Sequence, residues 1–223
     1  MNKMIIFKEW LKARWVILGS AVVVLAATLF CLLNLSKTIE INGAEAIWST
    51  LLMKDTVLVE MLKYIPIAIG IVVAIAQFIP EVQRKRIKLT LHLPYPQGRM
   101  IAMMYGFGIC VMLILFGLQA LILCLSLGKW LTGELVARIM ESWVVWFLSG
   151  IASYFFTAAL CLEPTWKRRI LVVLVAAGFI HFAFLSPVPG SYGGILPWVV
   201  VYVLCIQILI YSAIARFKEG LQD

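Results

Sequence analysis

Few residues of this sequence could carry out chemistry, and they are not spaced for catalysis. His92 and His181 are the only histidines, no HExxH motif occurs, and no apolar segment holds two carboxylates. A serine nucleophile would need His181 to meet Ser153 or Ser191, and nothing in the spacing supports that arrangement. We therefore expect no catalytic residue, no metal ligand and no enzymatic activity in this chain, and an intramembrane enzyme is only the third hypothesis.

Nucleotide-binding and redox motifs are also absent from the sequence. Gly128 and Lys129 are followed by Trp130 instead of Ser or Thr, so this string is not a P-loop. No CxxC spacing occurs, which favours small buried hydrophobic side chains over metal ligands or disulfides for the five cysteines, Cys31, Cys110, Cys124, Cys161 and Cys205. The chain itself is expected to hold no cofactor.

The composition places the chain in a membrane. Of its 223 residues, 63% are hydrophobic and only 13% are charged, and the mean hydropathy is +1.01. Soluble domains have about 25% charged residues, and a chain this small cannot hide such an apolar surplus from water. Soluble enzymes and nucleic-acid-binding modules are therefore excluded, despite a net charge of +8.

Six apolar segments without Asp, Glu, Lys or Arg are long enough to cross a bilayer core of about 30 Å as helices. Barrel strands are excluded because they alternate apolar and polar residues over about ten positions. The sequence thus predicts an all-α polytopic membrane protein of one domain, with transmembrane helices over residues 16–33, 64–80, 100–127, 142–162, 170–186 and 196–215.

Lys and Arg are unequally distributed between these spans. Fourteen lie in residues 1–15, 81–99, 163–169 and 216–223, and five lie in the segments on the other side. Positive charge accumulates on the cytoplasmic side, so both termini are predicted to be cytoplasmic. The expected location is the inner membrane of a bacterium. Topology and anionic lipid explain the basic residues, and no nucleic-acid partner is needed.

Residues 1–15 combine basic and apolar side chains at helical spacing. Lys8, Lys12 and Arg14 interleave with Met4, Phe7, Trp10, Leu11 and Trp15. The pattern predicts an amphipathic helix that lies in the membrane interface and turns into the first span through an elbow near residues 14–16. The alternative is a simple topological anchor.

The basic segment 81–99 joins the second and third spans. Its stretch from Ile87 to Leu93 alternates apolar and polar residues, which is typical of a strand, but no second strand is available to pair with it. We therefore expect a short helix that ends before Pro94, followed by a turn through Pro96 and Gly98. Such a projection is either a docking element for a cytoplasmic partner or a loop that only fixes topology.

An interfacial helix, six spans with both ends inside and a charged segment after span two make the chain resemble the ABC-2 type transporter permeases. In that family a glutamate, an L-x-L-P motif and a basic return follow span two, matched here by Glu81, Arg84–Arg86, Leu89, Leu91, Leu93, Pro94 and Arg99. The resemblance implies a homo- or heterodimer bound to two ATP-binding cassette ATPase subunits, which hold ATP and Mg²⁺. It also implies that the ATPase is contacted by Glu81, Arg84, Lys85, Arg86, Lys88, Leu89, Leu93, Pro94 and Tyr95.

The absence of charged residues from the predicted spans indicates where the energy for transport would come from. None of them contains Asp, Glu, Lys or Arg to couple transport to an ion, so the driving force is expected from a separate subunit. The leading hypothesis is the permease subunit of an ATP-driven exporter for a lipid, an amphipathic peptide or a hydrophobic compound. Its path between protomers would be lined by Phe107, Phe116, Tyr154 and Phe155, with His181 in the pore or the interior. A membrane scaffold that transports nothing is the alternative.

Overall fold

The computed structural model describes residues 2–53, 60–83, 97–186 and 191–219, and every regular element in these ranges is helical. A short 3₁₀ helix, Glu60–Leu62, precedes the second α-helix. The six α-helices are α1 Asn2–Met53, α2 Ile65–Gln83, α3 Gln97–Leu127, α4 Gly133–Leu162, α5 Trp166–Ala183 and α6 Leu196–Glu219. The prediction of an all-α chain is confirmed.

Five of the described helices, α1, α2, α3, α4 and α6, are long and apolar enough to cross a membrane. The chain is therefore a multi-pass membrane protein. Helix α5 also forms, but Lys167, Arg168 and Arg169 occupy its first turn. Its apolar part from residue 170 to Ala183 is only about 21 Å long, shorter than a bilayer core of about 30 Å. The sixth span, predicted at 170–186, stays a prediction.

Helix α1 differs most from its prediction. It is one continuous helix of 52 residues, so the elbow near residues 14–16 is absent and residues 1–15 do not form a separate interfacial helix. No proline interrupts this segment, and apolar side chains continue directly from Trp15 into Val16. At 1.5 Å per residue α1 is about 78 Å long, more than twice the thickness of a bilayer core.

The start of α4 also differs from its prediction. The helix begins at Gly133 rather than at residue 142, so most of the predicted outer loop 128–141 is helical. Glu134, Arg138 and Glu141 follow each other at intervals of four and three residues and are all exposed. That spacing places the three charged side chains on one exposed face of a helix. The helix can therefore extend through these residues without burying a charge.

Helices α2 and α4 form the tightly packed centre of the bundle. A Cβ atom on Gly70 would lie 2.2 Å from the carbonyl oxygen of Gly150, and one on Gly150 would lie 2.8 Å from the carbonyl oxygen of Pro66. Ser153 Oγ donates a hydrogen bond across the same interface to the carbonyl oxygen of Ile67, at 3.2 Å. Small residues thus let the two backbones approach closely, as is common between helices in membranes.

Hydrogen bonds bring the start of α1 and the last turns of α6 to the same end of the bundle. Lys12 of α1 donates to the backbone of Gln77 in α2 at 3.1 Å, and the Gln77 side chain donates to the Met104 carbonyl oxygen in α3. The hydroxyl groups of Tyr105 in α3 and Tyr211 in α6 are 3.1 Å apart. We call this the basic end, because the described residues here include Lys3, Lys8, Lys12, Arg14, Arg99, Lys167, Arg168, Arg169 and Arg216.

All five cysteines are free thiols. Cys31 is buried, as the sequence predicts, and Cys161 is partly buried. Cys110, Cys124 and Cys205 are exposed, so the expectation of burial inside the protein is wrong for these three. They lie on outward helix faces that are otherwise apolar, which are faces that lipid covers in a membrane.

Candidate functional site

The strongest candidate site is a group of charged side chains between the first turns of α1 and the last turn of α2. Helix α1 contributes Lys8, Glu9 and Lys12, and α2 contributes Glu81. Lys8 and Lys12 are four residues apart and therefore share one helix face. Their ammonium groups lie 2.8 and 2.9 Å from the same carboxylate atom, Glu81 Oε1. We call these four residues the charge cluster.

Burial distinguishes the charge cluster from a surface ion pair. The side chains of Glu9 and Glu81 have no exposed area, that of Lys12 is 11% exposed, and that of Lys8 is 34% exposed. Removing a carboxylate from water is costly unless cations and hydrogen bonds replace the water. Two lysines do this at Glu81 Oε1, whereas Glu81 Oε2 has no hydrogen bond to a described residue. Glu81 therefore fastens α1 to α2 and is not free to contact a partner.

Lys12 is the residue of the charge cluster that contacts both carboxylates. Its Nζ atom lies 2.9 Å from Glu81 Oε1, 2.9 Å from Glu9 Oε2 and 3.1 Å from the carbonyl oxygen of Gln77. The Glu9 contact is close enough for an ion pair, although neither oxygen of Glu9 has hydrogen-bonding geometry with a described residue. Glu9 is thus the less satisfied carboxylate and depends mainly on Lys12.

The polar contacts continue from the charge cluster into the bundle through Gln77, which is fully buried. Its side-chain Nε2 donates to the carbonyl oxygen of Met104 at 2.5 Å, and Tyr154 donates its hydroxyl proton to Gln77 Oε1 at 2.8 Å. Gly108 makes room for this contact, because a Cβ atom there would lie 2.2 Å from the Tyr154 hydroxyl oxygen. Helices α1, α2, α3 and α4 are therefore linked through one glutamine.

A second ionic contact at the basic end joins the α4–α5 connection to α6. Arg216 Nε lies 3.0 Å from Glu163 Oε1, and its Nη2 contacts the other carboxylate oxygen, so the pair is bidentate. Thr165 donates to Glu163 Oε1 at 2.9 Å, and Arg169 Nε donates to the Glu163 carbonyl oxygen at 2.8 Å. Burial raises the pKa of Glu163, but the hydrogen bonds from Arg216 and Thr165 and the charges of Arg216 and Arg168 outweigh it, so the pKa lies below its ordinary value.

Metal ligands do not cluster in the part of the chain that the structure describes. No group of three or more His, Cys, Asp or Glu there could hold a metal ion.

No protein-family model, curated protein or solved structure matches this chain. The likeness to ABC-2 permeases rests on the sequence pattern alone.

Of the residues predicted to contact an ATPase, the structure describes only Glu81. It lies in the last turn of α2, because the helix continues through Pro80 to Gln83 instead of ending at the predicted boundary. Its carboxylate is buried against α1, so it makes no surface contact in this conformation. The remaining predicted contacts lie outside the described residues, as does the expected helix before Pro94: Arg84, Lys85, Arg86, Lys88, Leu89, Leu93, Pro94 and Tyr95.

The residues predicted to line a substrate path are packing residues in this single chain. Phe116, Tyr154 and Phe155 are 2%, 0% and 1% exposed, and Phe107 is partly buried against the same core. His181 is exposed on α5 and is not an interior group of this chain. Phe107, Phe116, Tyr154 and Phe155 pack in one hydrophobic cluster, and the path between protomers stays a prediction.

Sequence reasoning missed that Lys8, Glu9 and Lys12 of α1 face α2, although Lys3 and Arg14 are exposed. Met4, Phe7 and Trp15 are 75%, 62% and 72% exposed, whereas Glu9 is fully buried. An interfacial helix would present its charges to water, so this orientation is the reverse of the predicted one. Two features of the sequence pointed to this arrangement. Lys8 and Lys12 lie one helical turn apart, and Glu81, directly after span two, is an acidic residue that needs a cationic partner if it is buried.

Proposed function

We propose that the chain is the permease subunit of an exporter powered by ATP hydrolysis on a separate ATP-binding cassette subunit. The ion pairing of Glu81 with Lys8 and Lys12 carries this proposal. Residues 81–99, which the family resemblance makes the docking segment, begin at Glu81 itself. A force applied to that segment therefore acts on α1 and α2 together.

The packing of α2 would carry that displacement into the bundle. Gly70 and Gly150 hold α2 against α4 with little free space, and Gln77 ties α2 to α3 through the carbonyl oxygen of Met104. Interiors packed this closely move as units instead of deforming continuously. ATP performs work only if the ATPase binds one permease state more tightly, and each tenfold preference corresponds to about 1.4 kcal/mol.

The expected cargo is apolar or amphipathic. Among the described residues, the charged side chains of α2, α3, α4 and α6 lie near the helix ends, and the helix centres are mostly apolar, with Ser149 and Gln207 as uncharged polar exceptions. A lipid, an amphipathic peptide or a hydrophobic compound suits such surroundings better than an ion or a sugar. In the proposed assembly two permease chains, identical or different, form the path in a bacterial cytoplasmic membrane with the basic end inside.

The buried carboxylate of Glu9 favours a second candidate function, a carrier driven by a proton gradient. Carboxylates enclosed between membrane helices are the usual proton-binding groups of such carriers, and the buried carboxylate of Glu9 is paired with Lys12 at 2.9 Å. This candidate needs no nucleotide, so transport measurements separate it from the first.

A reconstitution experiment tests the proposed function. The tagged chain is purified from its native membranes, a co-purifying ATPase with a GxxxxGK[ST] motif is identified, and the complex is placed in proteoliposomes. We expect the chain to stimulate ATP hydrolysis. The variant Glu81→Gln should assemble but lose the stimulation, whereas Glu134→Gln, at an exposed site far from the charge cluster, should retain it.

Three results would overturn the proposal. They are purification without any ATPase, equal stimulation by the Glu81→Gln variant, and efflux of a fluorescent lipid without nucleotide. Efflux that needs an imposed pH gradient and no nucleotide would support the second candidate, whereas a stable complex that neither hydrolyses ATP nor moves lipid would indicate a scaffold.

A further inference from the structure

An apolar groove of about 550 Å³ opens at the basic end between α2, α4 and α5. Its walls include Ile79 and Val82 of α2, Leu160 of α4, and Ile170 and Val173 of α5. The volume lies within the range of sites that hold small ligands. Apart from the ends of Gln83 and Arg169, its lining is largely hydrocarbon, so it suits a flexible aliphatic chain.

The positively charged side chain of Arg169 is held in a fixed position at this groove. Arg169 lines it, and its Nε donates to the carbonyl oxygen of Glu163 at 2.8 Å. Its guanidinium carbon lies 5.6 Å from the ring centroid of Trp166. The side chain of Arg169 is only partly buried, and a guanidinium can pair with a phosphate through several N–H groups. Lys167 and Arg168 are exposed and do not line the groove.

The surroundings of the groove show what can reach it. Trp166, Ile170 and Leu174 are 69%, 54% and 67% exposed, so in a membrane the outer wall of the groove faces lipid. A tryptophan beside arginine is typical of the level at which lipid headgroups lie. Basic pockets between membrane helices on the cytoplasmic side bind anionic headgroups.

We propose that this groove binds one anionic phospholipid, with an acyl chain between α2, α4 and α5 and the phosphate on Arg169. The charge of Arg169 complements the phosphodiester, and the apolar walls complement the chain. Val82 and Gln83 belong to the turn of α2 that follows Glu81, so the lipid contacts the helix end that carries the charge cluster. The site requires only that this end of the bundle lie at the membrane surface, and it is independent of any ATPase.

Native mass spectrometry of the detergent-purified chain tests the site, with dioleoyl phosphatidylglycerol as the probe and dioleoyl phosphatidylcholine as the neutral comparison. We expect one phosphatidylglycerol to bind at least fivefold more tightly than phosphatidylcholine. Arg169→Gln should remove this preference. Val173→Trp, which fills the groove, should weaken the binding of both lipids. Arg168→Gln is the matched control, because Arg168 is exposed and does not line the groove, and it should change binding less than twofold.

Several outcomes would overturn the proposal. Equal binding of the two lipids would show an apolar groove without headgroup recognition. An equal loss in the Arg168 and Arg169 variants would show general surface attraction, and competition by free glycerol phosphate would assign the site to a soluble anion. If Arg169→Gln unfolds because its bond to Glu163 is lost, then unchanged lipid binding in a folded Val173→Trp variant overturns it alone.

Discussion

Lys12, in the fourth turn of α1, lies 2.9 Å from Glu81 in the last turn of α2. The two residues are 69 positions apart in the sequence, and the Glu81 side chain has no exposed area. Because water cannot reach this carboxylate to replace a lost partner, the contact determines how the start of α1 is attached to the end of α2.

Removal of Lys12 is predicted to destabilise the fold more than removal of Glu81. The variant Lys12→Met leaves two buried carboxylates with only Lys8 nearby, and breaking a buried ion pair costs about 3–5 kcal/mol of unfolding free energy. Glu81→Gln keeps an oxygen that can accept from both lysines, so about 1–3 kcal/mol is expected. Thermal unfolding in detergent measures both effects.

The matched control for these two variants is Glu134→Gln at an exposed position, for which less than about 0.5 kcal/mol is expected. Combining Lys12→Met with Glu9→Gln should recover part of the loss, because one unpaired charge is removed as well. An unfolding temperature of Lys12→Met equal to that of the wild type would show that the charge cluster contributes nothing to the fold.

Close packing of α2 on α4 predicts a steric effect at Gly70. An added Cβ atom there would meet the Gly150 carbonyl oxygen and Ser153 Oγ at 2.2 and 2.4 Å, so the helices must separate. We expect Gly70→Ala to lower the unfolding free energy by about 1–3 kcal/mol. Gly117→Ala is the control, since nothing lies within 4 Å of its added Cβ. Equal unfolding temperatures of the two variants would contradict the packing.

The bond between Glu163 and Arg216 predicts a dependence of stability on acid. The folded pKa of Glu163 lies below its ordinary value, so its contribution is complete above the unfolded pKa of about 4.3 and disappears as the pH falls through the lower folded value. The difference in unfolding temperature between the wild type and Glu163→Gln should therefore shrink as the pH falls below about 4.3 and through the lower folded value. A difference that does not change with pH would exclude the ion pair as its cause.

Orientation is testable by labelling single cysteines in a background without the five native ones. Lys167→Cys lies at the basic end, and Lys129→Cys lies in the α3–α4 connection at the opposite end, and both positions are exposed. We expect an impermeant maleimide to label position 129 from outside intact cells and position 167 only after the membrane is opened. The reverse pattern would place the basic end outside and remove the basis for a cytoplasmic ATPase.

Sequence composition was sufficient to predict the helices and the membrane class, because apolar length is a local property. The segments 64–80, 100–127 and 196–215 lie within α2, α3 and α6 with small shifts at their ends. The sequence also shows the three basic residues at the start of α5. Whether residues 170–186 cross the membrane depends on the lipid and on neighbouring helices, which are not local properties of the sequence.

The site was harder to predict because its partners are distant in sequence. Glu81 was identified as important, yet its contacts with Lys8 and Lys12 depend on how α1 packs against α2. Periodicity alone shows that charged and apolar side chains occupy different faces of a helix. It does not show which face points inward, and the usual assumption that charges meet water is wrong for Glu9 and Lys12.

We propose that this chain receives its driving force through the basic end, at the junction of Glu81 with Lys8 and Lys12. The most direct test measures efflux of a fluorescent lipid from proteoliposomes that hold the purified chain, with and without its ATPase partner and ATP. We predict efflux only when the chain, the ATPase and ATP are all present, and loss of that efflux in the Glu81→Gln variant at an unchanged amount of complex. Efflux by the chain alone, without nucleotide or partner, would contradict the claim.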